Sequence, residues 1–317
     1  MGEVVTIRDT GEFGLIDRIT ADLPADERVL VGPGDDTAVL SFPTGVVAVT
    51  CDVLVEGRHF RRDWSTAIDV GRKAAAASLA DIAAMGGTAT ALVVGFGAPP
   101  DLPTAWAMEC TAGLREEARA VGASLVGGDV VQAPEVILSI TALGDLAGRP
   151  PVRRSGARPG DFVAVAGRLG WAAAGLAVLS RGFASPRALV DAHRCPAPPY
   201  AAGPAAATAG ATAMIDVSDG LIADARHVAE ASGVVLEIST LGWEVPDPLQ
   251  AAASAYHVDP IEWMLTGGED HALLATFPPE AHVPEDFRII GAVVAGEPSV
   301  VVDGAVRDAE GGFRHFA

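Results

Sequence analysis

Lysine is almost absent from this chain of 317 residues: among its 22 Lys and Arg residues, Lys73 is the only lysine. A P-loop of the form GxxxxGKS or GxxxxGKT needs a lysine directly after a glycine, whereas Lys73 follows Arg72. This way of binding phosphates is therefore excluded. The formal net charge of −19 at pH 7 also leaves no basic face to displace counterions from phosphates, so we expect no nucleic-acid partner.

Cysteines and long apolar runs are scarce as well. Cys51, Cys110 and Cys195 are scattered and form no C-x-x-C pair, which argues against a disulfide framework and against a zinc site. No apolar run reaches the roughly 20 uninterrupted residues that a membrane span requires, so we expect no membrane contact. The first residues, MGEVVTIRDTGEFG, contain no basic region followed by an apolar core, which predicts a cytoplasmic location.

The composition is that of a folded protein, since 50% of the residues are hydrophobic, and the length predicts two domains. Prolines, glycines and four arginines replace the apolar pattern in GRPPVRRSGARPGD, which marks a boundary near residue 148. Strand and helix patterns alternate on both sides of it, including a long helix over residues 63–86. We therefore predict two α/β domains with mixed sheets, residues 1–148 and 149–317.

Acidic residues stand beside the apolar segments of the first half. Asp35 and Asp36 are adjacent in a Gly-Pro-Gly turn, Asp52 is predicted in a turn after the strand GVVAVT, and Asp129 in a glycine turn after SLV. Asp81 is placed near the end of the helix over 63–86, where the helix dipole disfavours a carboxylate, so a compensating cation is expected. Taken singly, each motif also fits an ordinary solvated turn, because Asp and Gly are common turn residues.

The second half of the chain also has acidic residues beside its apolar segments. Asp216 is predicted at the end of a strand, and Asp219 or the serine before it is the expected N-cap of the next helix. Asp224 is expected to be a charge on the surface of that helix. Further on, a double glycine precedes Glu269 and a second carboxylate, again before an apolar strand. The histidines share no metal-ligand spacing and are expected to be ordinary polar positions: His193, His227, His257, His271 and His282.

Carboxylates gathered from these segments would repel one another and raise one another's pKa values unless cations lay between them. Mg²⁺ fits this need because it prefers oxygen ligands, is bound by only a few carboxylates at once, and completes its shell with water and phosphate oxygens. Several Mg²⁺ ions between aspartates and a triphosphate would do the electrostatic work that a P-loop lysine does elsewhere. Calcium would use the same ligands, but no EF-hand spacing is present.

Eight motifs in order resemble the thiamine-monophosphate kinase family of the aminoimidazole ribonucleotide synthetase-like superfamily: GEFGLIDRI, GPGDDTAVL, TCDVLVEGRHF, SLADIAAMGG, SLVGGD, RRSGARPGD, IDVSDGL and LTGGEDHALL. The resemblance runs from Gly11 to Phe316. It implies a two-domain α/β fold of mixed sheets flanked by helices, with the N-terminal sheets of two subunits pairing into a barrel in a homodimer. It also implies ATP-dependent phosphorylation of thiamine monophosphate to thiamine diphosphate, by direct in-line transfer with several Mg²⁺ ions.

The resemblance also implies roles for single residues, carried over motif by motif. The implied Mg²⁺ ligands, among which Asp129 and Asp219 are the most critical, are Asp36, Thr50, Cys51, Asp52, Asp81, Asp129, Asp216 and Asp219. The implied ATP contacts are Gly128, Arg154 and Ser218. The implied contacts to thiamine monophosphate are His59, Glu269 and Phe313. No dedicated general base is implied, because the attacking phosphate oxygen is already ionised at neutral pH.

Some positions depart from the family pattern. Ser78 and Ala80 stand where relatives often have Asn and Ser, Val130 stands where they often have Thr, and Cys51 stands where many of them have Thr. No carboxylate is lost, but the adenine pocket is left unassigned. Two alternatives stay open: another ATP-using member of the superfamily, or a noncatalytic protein that binds Mg²⁺ or nucleotide. The second would keep the metal carboxylates and could dispense with the substrate contacts.

Overall fold

The computed structural model describes residues 5–21, 23, 26–31 and 39–307. The chain divides into two compact units, one formed by residues 1–82 and 88–148 and the other by residues 83–87 and 149–317. Each unit combines a mixed β-sheet with helices, which confirms the predicted α/β class. Among the described helices, none has both the length and the apolar character needed to cross a membrane.

The first unit is built on a four-stranded sheet in the order β3 (Ala48–Val55), β6 (Ile137–Asp145), β4 (Thr88–Ala98) and β5 (Ser124–Gln132). The β3–β6 and β4–β6 pairs are antiparallel and β4–β5 is parallel. A separate two-stranded sheet pairs β1 (Val29–Val31) with β2 (Val39–Leu40). The helices are α1 (Ile7–Thr10), α2 (Glu12–Thr20), α3 (Ala67–Ala84), whose last two residues belong to the second unit, and α4 (Thr104–Ala120).

The two faces of the four-stranded sheet differ in burial. Along β6, Leu138, Ile140 and Ala142 are fully buried, and Ser78 of α3 donates a hydrogen bond to the Ile140 carbonyl at 3.1 Å, so α3 covers this face. On the opposite face, Val49 is 59% exposed. This alternation is the pattern of a sheet with one face packed on a core.

Helix α3 begins four residues later than the predicted start at Asp63. Thr66 and Asp69 explain the difference, because they form a capping box: the Thr66 N–H donates to the Asp69 carboxylate at 2.9 Å and the Asp69 N–H to the Thr66 hydroxyl at 3.2 Å. Further along, α3 lies close against α4. A Cβ added at Gly71 would lie only 1.9 Å from the Cys110 carbonyl oxygen, so glycine is required at this crossing.

The second unit has a seven-stranded sheet in the order β13 (Ala305–Arg307), β12 (Ser299–Val302), β9 (Val235–Ile238), β11 (Phe287–Val294), β7 (Phe162–Ala166), β10 (Ala272–Phe277) and β8 (Ala213–Val217). Its pairs are antiparallel except β12–β9. The helices are α5 (Trp171–Ser180), α6 (Arg187–Arg194), α7 (Ala202–Thr208), α8 (Leu221–Ser232), α9 (Asp247–Tyr256) and α10 (Pro260–Thr266).

The core of this second unit lies around β7, β8 and β10. Every residue of β8 and of β10 is buried, so these strands are covered on both faces and read in the sequence as nearly continuous apolar runs. Phe277 and Phe287 meet edge to face with ring centroids 5.3 Å apart. The one charged residue of β8, Asp216, is therefore buried close to the strand end.

Candidate active site

Two hydroxyl–carboxylate pairs connect β3 to α3 in the first unit. Thr50 donates a hydrogen bond from Oγ1 to Asp81 Oδ2 at 2.6 Å, and Ser78 donates from Oγ to Asp52 Oδ2 at 2.7 Å. Residues two apart on a strand share a face, and residues three apart on a helix are neighbours. The Asp52 and Asp81 carboxylates consequently lie at consecutive positions along one strand–helix contact, both half-buried.

The prediction that Asp52 and Asp129 occupy turns is wrong, because both lie inside strands. Asp52 pairs with Ile140 in the middle of β3, and Asp129 pairs with Gly95 in β5. The glycines before Asp129 do not end the strand. A Cβ at Gly128 would lie 2.2 Å from the Val94 carbonyl oxygen, so glycine here allows β5 to approach β4 closely.

The two faces of this sheet separate the predicted ligands into two groups. Directly paired residues in neighbouring strands share a face. Asp129 is paired with Gly95, and Gly95 is paired in turn with Ser139, so the three share one face. Cys51 Sγ lies 3.5 Å from the Ser139 hydroxyl on this face. Cys51 and Asp129 thus share the face away from α3. Thr50 and Asp52 lie on the other face, where α3 contributes Asp81 and Ser78 as their hydrogen-bond partners.

His59 lies just after β3 and is half-buried. Its Nδ1 accepts a hydrogen bond from the Val55 N–H at 3.0 Å. A nitrogen that accepts this bond carries no proton, so the neutral ring is the tautomer with its proton on Nε2. The bond from Val55 therefore fixes the orientation of the imidazole at the end of β3.

The second unit brings the segments 216–220 and 267–271 together. β8 and β10 pair so that Ala272 lies opposite Val217. Ahead of this pair, the Glu269 N–H donates to the Ser218 carbonyl at 2.7 Å and the His271 N–H to the Val217 carbonyl at 3.0 Å. A Cβ at Gly268 would lie 2.3 Å from the Ser218 carbonyl oxygen, so the approach of the two segments requires glycine at that position.

Asp224 is not the surface charge that the sequence predicts. It is 2% exposed, and its Oδ2 accepts hydrogen bonds from the Asp219 N–H at 3.0 Å and the Gly220 N–H at 3.1 Å. Burial, together with the negative charge of Asp216, raises the pKa of Asp224 to about 7. The predicted cap is also wrong. Gly220 is the N-cap of α8, and the carboxylate that binds the loop amides comes from within the helix rather than from Ser218 or Asp219.

Two histidines interpreted from the sequence as ordinary polar positions contact predicted site residues. His271 Nδ1 lies 3.1 Å from Asp216 Oδ2, and both side chains are buried. His193 Nδ1, on α6, lies 3.6 Å from Glu269 Oε2. The sequence could have indicated a role for His271, because it follows the two carboxylates of the double-glycine motif. It gave no indication for His193, since only the packing of α6 brings that residue near Glu269.

The remaining predicted residues are less informative. Arg154 is exposed, and its carbonyl accepts a hydrogen bond from the Ser232 hydroxyl at 3.0 Å. Ser218 is half-buried in the loop before α8, and Gly128 is exposed in β5. Asp35, Asp36 and Phe313 lie outside the described residues.

The side chains bonded across β3 and α3 offer the oxygen ligands that suit Mg²⁺. Thr50, Asp52 and Asp81 offer hydroxyl and carboxylate oxygens, the hard ligands that Mg²⁺ prefers, whereas the Cys51 thiol is a poor ligand for it. Within residues 5–21, 23, 26–31 and 39–307, no three His, Cys, Asp or Glu side chains converge closely enough to hold a metal ion by themselves. The oxygen chemistry fits, and Mg²⁺ ordinarily completes its shell with water and phosphate oxygens.

Comparison with known proteins identifies the class first. Residues 34–146 match the family model for the N-terminal domain of AIR synthase related proteins, and residues 158–304 match the model for the C-terminal domain. Hydrogenase maturation protein HypE has the same fold, with a TM-score of 0.72 over 92% of this chain and 95% of its own, but only 18% sequence identity. The two-domain fold is thus that of an AIR synthase related protein.

The relatives are more specific. Thiamine-monophosphate kinase of Mycobacterium tuberculosis is 49% identical over 99% of this chain and 94% of its own length, and that of Corynebacterium glutamicum is 38% identical over 98% and 95%. A structure described as AaThiL complexed with AMPPCP and TMP is 34% identical, with a TM-score of 0.81 over 99% of this chain and 100% of its own. The chain belongs to the thiamine-monophosphate kinase family, which confirms the resemblance of the motifs.

Proposed function

We propose that this chain transfers the γ-phosphoryl group of ATP to thiamine monophosphate and so forms thiamine diphosphate. The observation that supports this most strongly is the match, over nearly the whole of both chains, to a relative complexed with AMPPCP, an analogue of ATP, and with TMP. The sequence also contains His59 and Glu269, the proposed substrate contacts that a noncatalytic nucleotide-binding protein could dispense with. The enzyme is accordingly a phosphotransferase with a phosphate group as acceptor.

Mg²⁺ is the metal proposed for this reaction. When bound, it neutralises the phosphate oxygens of both substrates, which an almost lysine-free chain cannot do with ammonium groups. The hydroxyl-supported carboxylates of β3 and α3 support this assignment, and Cys51 would contribute its backbone carbonyl instead of its thiol. The proposed ligands are Asp36, Thr50, Cys51, Asp52, Asp81, Asp129, Asp216 and Asp219.

The side chains of the chain itself act by binding and orienting. His59, with its proton on Nε2, is proposed to donate a hydrogen bond to the phosphate of thiamine monophosphate. Glu269 complements the positive thiazolium ring, and Phe313 stacks on the substrate. Gly128, Arg154 and Ser218 are proposed to contact ATP. Because the attacking oxygen is already ionised at neutral pH, alignment and charge neutralisation replace a general base.

The proposal assigns residues 1–148 to an N-terminal domain for ATP and Mg²⁺ binding and for dimerisation, and residues 149–317 to a C-terminal domain that completes the active site with further metal, ATP and substrate contacts. A homodimer is supported by the sheet face away from α3, where Val49, Val53 and Val131 are each about half exposed or more, because apolar side chains grouped on one sheet face suit a protein interface. β3 is also an edge strand of this sheet in the chain. We place the enzyme in the cytoplasm, where ATP is available as co-substrate.

The test is an ADP-release assay on the purified protein with Mg²⁺ and ATP. We expect turnover with thiamine monophosphate, little with free thiamine, and none when a chelator removes Mg²⁺. Equal turnover with thiamine would contradict the substrate assignment. ATP binding without any turnover would favour the noncatalytic alternative.

A further inference from the structure

Asp270 stands between two residues of the candidate site but points to a different part of the fold. It is 4% exposed, and its Oδ1 accepts a hydrogen bond from the Ala172 N–H at 2.9 Å. The backbone amides of Gly170 and Trp171 also act on this carboxylate. Asp270 therefore caps the N-terminus of α5 from a loop about 100 residues away in sequence.

The side chains on either side of Asp270 lie against other elements. Glu269 lies toward His193 on α6, and His271 contacts Asp216 on β8. Three consecutive side chains thus reach three separate elements of the second unit: α6, α5 and β8.

The backbone of this tripeptide is unusual on both sides of Asp270. Glu269 has φ of +66° and His271 has φ of +51°, a left-handed conformation that residues with a side chain seldom adopt. Such conformations persist only where surrounding contacts enforce them. The N–H groups of Glu269 and His271 are bonded to the carbonyls of Ser218 and Val217, and the buried bond from Ala172 to Asp270 lies between these two attachments.

We propose that Asp270 is a positioning residue that holds Glu269 and His271 in their left-handed conformations, and thereby directs Glu269 to the substrate and the His271 imidazole to Asp216. The inference rests on the proposed function, because it takes Glu269 as a substrate contact and Asp216 as a metal ligand. A residue that only capped α5 would affect stability and leave both neighbours unchanged. A positioning residue also changes what its two neighbours do.

The experiment compares Asp270→Asn and Asp270→Ala with a matched control in the full-length protein. Asn keeps one acceptor oxygen but replaces the other with an amide that donates, beside the N–H groups of Gly170, Trp171 and Ala172, whereas Ala removes both oxygens. The control is Asp303→Asn, because Asp303 also accepts a backbone N–H, that of Thr240 at 2.9 Å, but follows β12 near the edge of the sheet opposite to β8. Each variant is measured for melting temperature, for kcat and KM, and for binding of thiamine monophosphate without ATP.

A spectroscopic measurement reports on the loop independently of activity. The imidazole of His271 is followed by NMR in protein labelled with ¹⁵N-histidine, and its resonance is assigned by its loss in His271→Gln. We expect this resonance to move in Asp270→Asn and to stay in place in Asp303→Asn. We also expect kcat/KM for thiamine monophosphate to fall about 10- to 100-fold in Asp270→Asn, as for a small misplacement of binding groups, and to fall further in Asp270→Ala.

The two proposals fail in different ways. If the wild-type protein does not phosphorylate thiamine monophosphate, the proposed function is wrong, and the His271 resonance still tests the positioning role. If Asp270→Asn lowers only the melting temperature and keeps the wild-type kcat, KM and His271 resonance, Asp270 is a helix cap and the inference is overturned. If Asp270→Ala does not fold, Asp270→Asn carries the test alone, because it preserves the shape of the side chain.

Discussion

The carboxylates of the two units are held by different means. In the first unit, Asp52 and Asp81 are half-buried and receive hydrogen bonds from the hydroxyls of Ser78 and Thr50. In the second unit, the key carboxylates are buried and receive backbone N–H groups or a histidine: Asp216, Asp224 and Asp270. Hydroxyl groups can turn to follow a ligand, whereas backbone amides are fixed by the fold.

This difference has an electrostatic consequence. Burial raises the pKa values of Asp224 and Asp270 to about 7, even though each accepts backbone hydrogen bonds that favour the ionised form. The loss of solvent outweighs the hydrogen bonds in both cases. Asp52 and Asp81 are thus more accessible to a ligand, whereas Asp224 and Asp270 hold loop and helix-end amides of the second unit. Substitutions should therefore change activity in the first unit and combine activity with stability in the second.

The largest effect is expected at Asp52. Asp52→Ala should lower kcat by at least about 10²- to 10³-fold, the usual cost of losing one group that stabilises transition-state charge. The fold should remain intact, because the Asp52 side chain is only half-buried and the substitution removes one side-chain hydrogen bond, that from Ser78. Steady-state kinetics and a thermal melt measure both expectations.

The control for this substitution is Asp63→Ala, which removes an exposed carboxylate paired with Arg61 in the same unit. Near-normal turnover in Asp52→Ala would remove Asp52 from the proposed metal ligands. A collapse of the melting temperature would instead contradict the distinction between the two units.

A second prediction concerns the pH dependence of stability. Burial raises the pKa of Asp270 from 3.8, its value in an unfolded chain, to about 7 in the folded protein. Between these values the folded state keeps a proton that the unfolded state has released, so the free energy of unfolding contributed by Asp270 falls as pH rises from about 4 to about 7. Asn does not titrate. Asp270→Asn should therefore make this decline shallower, by at most about 1.4 kcal/mol per pH unit.

Denaturant unfolding at a series of pH values gives this slope, and Asp303→Asn is again the control. Hydrogen bonds from Thr240 hold the pKa of Asp303 below its usual value. Its stabilising contribution is therefore present above about pH 4 and is lost on acidification, so the control should leave the slope between pH 4 and 7 unchanged. An identical slope in wild type and Asp270→Asn would show that Asp270 is ionised in the folded protein throughout this range.

Much of the fold could be predicted from the sequence, because it depends on patterns along the chain. The α/β class and the position of Asp81 near the end of α3 followed from apolar periodicity and helix signals. Asp52 was misplaced because a half-buried carboxylate that follows an apolar run resembles one in a turn. The strand continues through Asp52 only because β6 pairs along its whole length.

The parts of the site that could not be predicted depend on distant contacts. Asp224 lies in the first turn of α8, where acidic residues are common, and its burial becomes evident only once the helix is packed. The contact between His271 and Asp216 joins residues 55 positions apart. Nothing in the local sequence of either residue specifies its partner.

A third prediction tests the hydroxyl support in the first unit. Ser78→Ala removes the donor to Asp52 and should lower kcat about 10-fold, with a higher Mg²⁺ concentration needed for half-maximal rate, because the carboxylate is then less well oriented. The stability cost should be about 1 kcal/mol, the net value of a typical hydrogen bond. Mg²⁺ titrations of activity measure this change, with Ser254→Ala on the exposed side of α9 as control. An unchanged Mg²⁺ requirement would mean that Ser78 serves packing alone.

The smallest effect is expected at His193. Its Nδ1 lies 3.6 Å from Glu269 Oε2, which is too far for a good hydrogen bond but places the ring beside the proposed substrate contact. His193→Gln keeps a polar side chain but removes the imidazole ring, and it should raise KM for thiamine monophosphate about threefold with kcat unchanged, as expected for the loss of a contact worth roughly 0.5–1 kcal/mol.

His227→Gln is the matched control for this last substitution, because His227 is exposed on α8. It should leave both kinetic constants unchanged. A wild-type KM in His193→Gln together with a lower melting temperature would make His193 a packing residue of the α5–α6 contact, where Gly175 allows it to lie close. A fall in kcat would contradict the expected effect in another way, because Glu269 would then act on the phosphoryl transfer itself as well as on substrate binding.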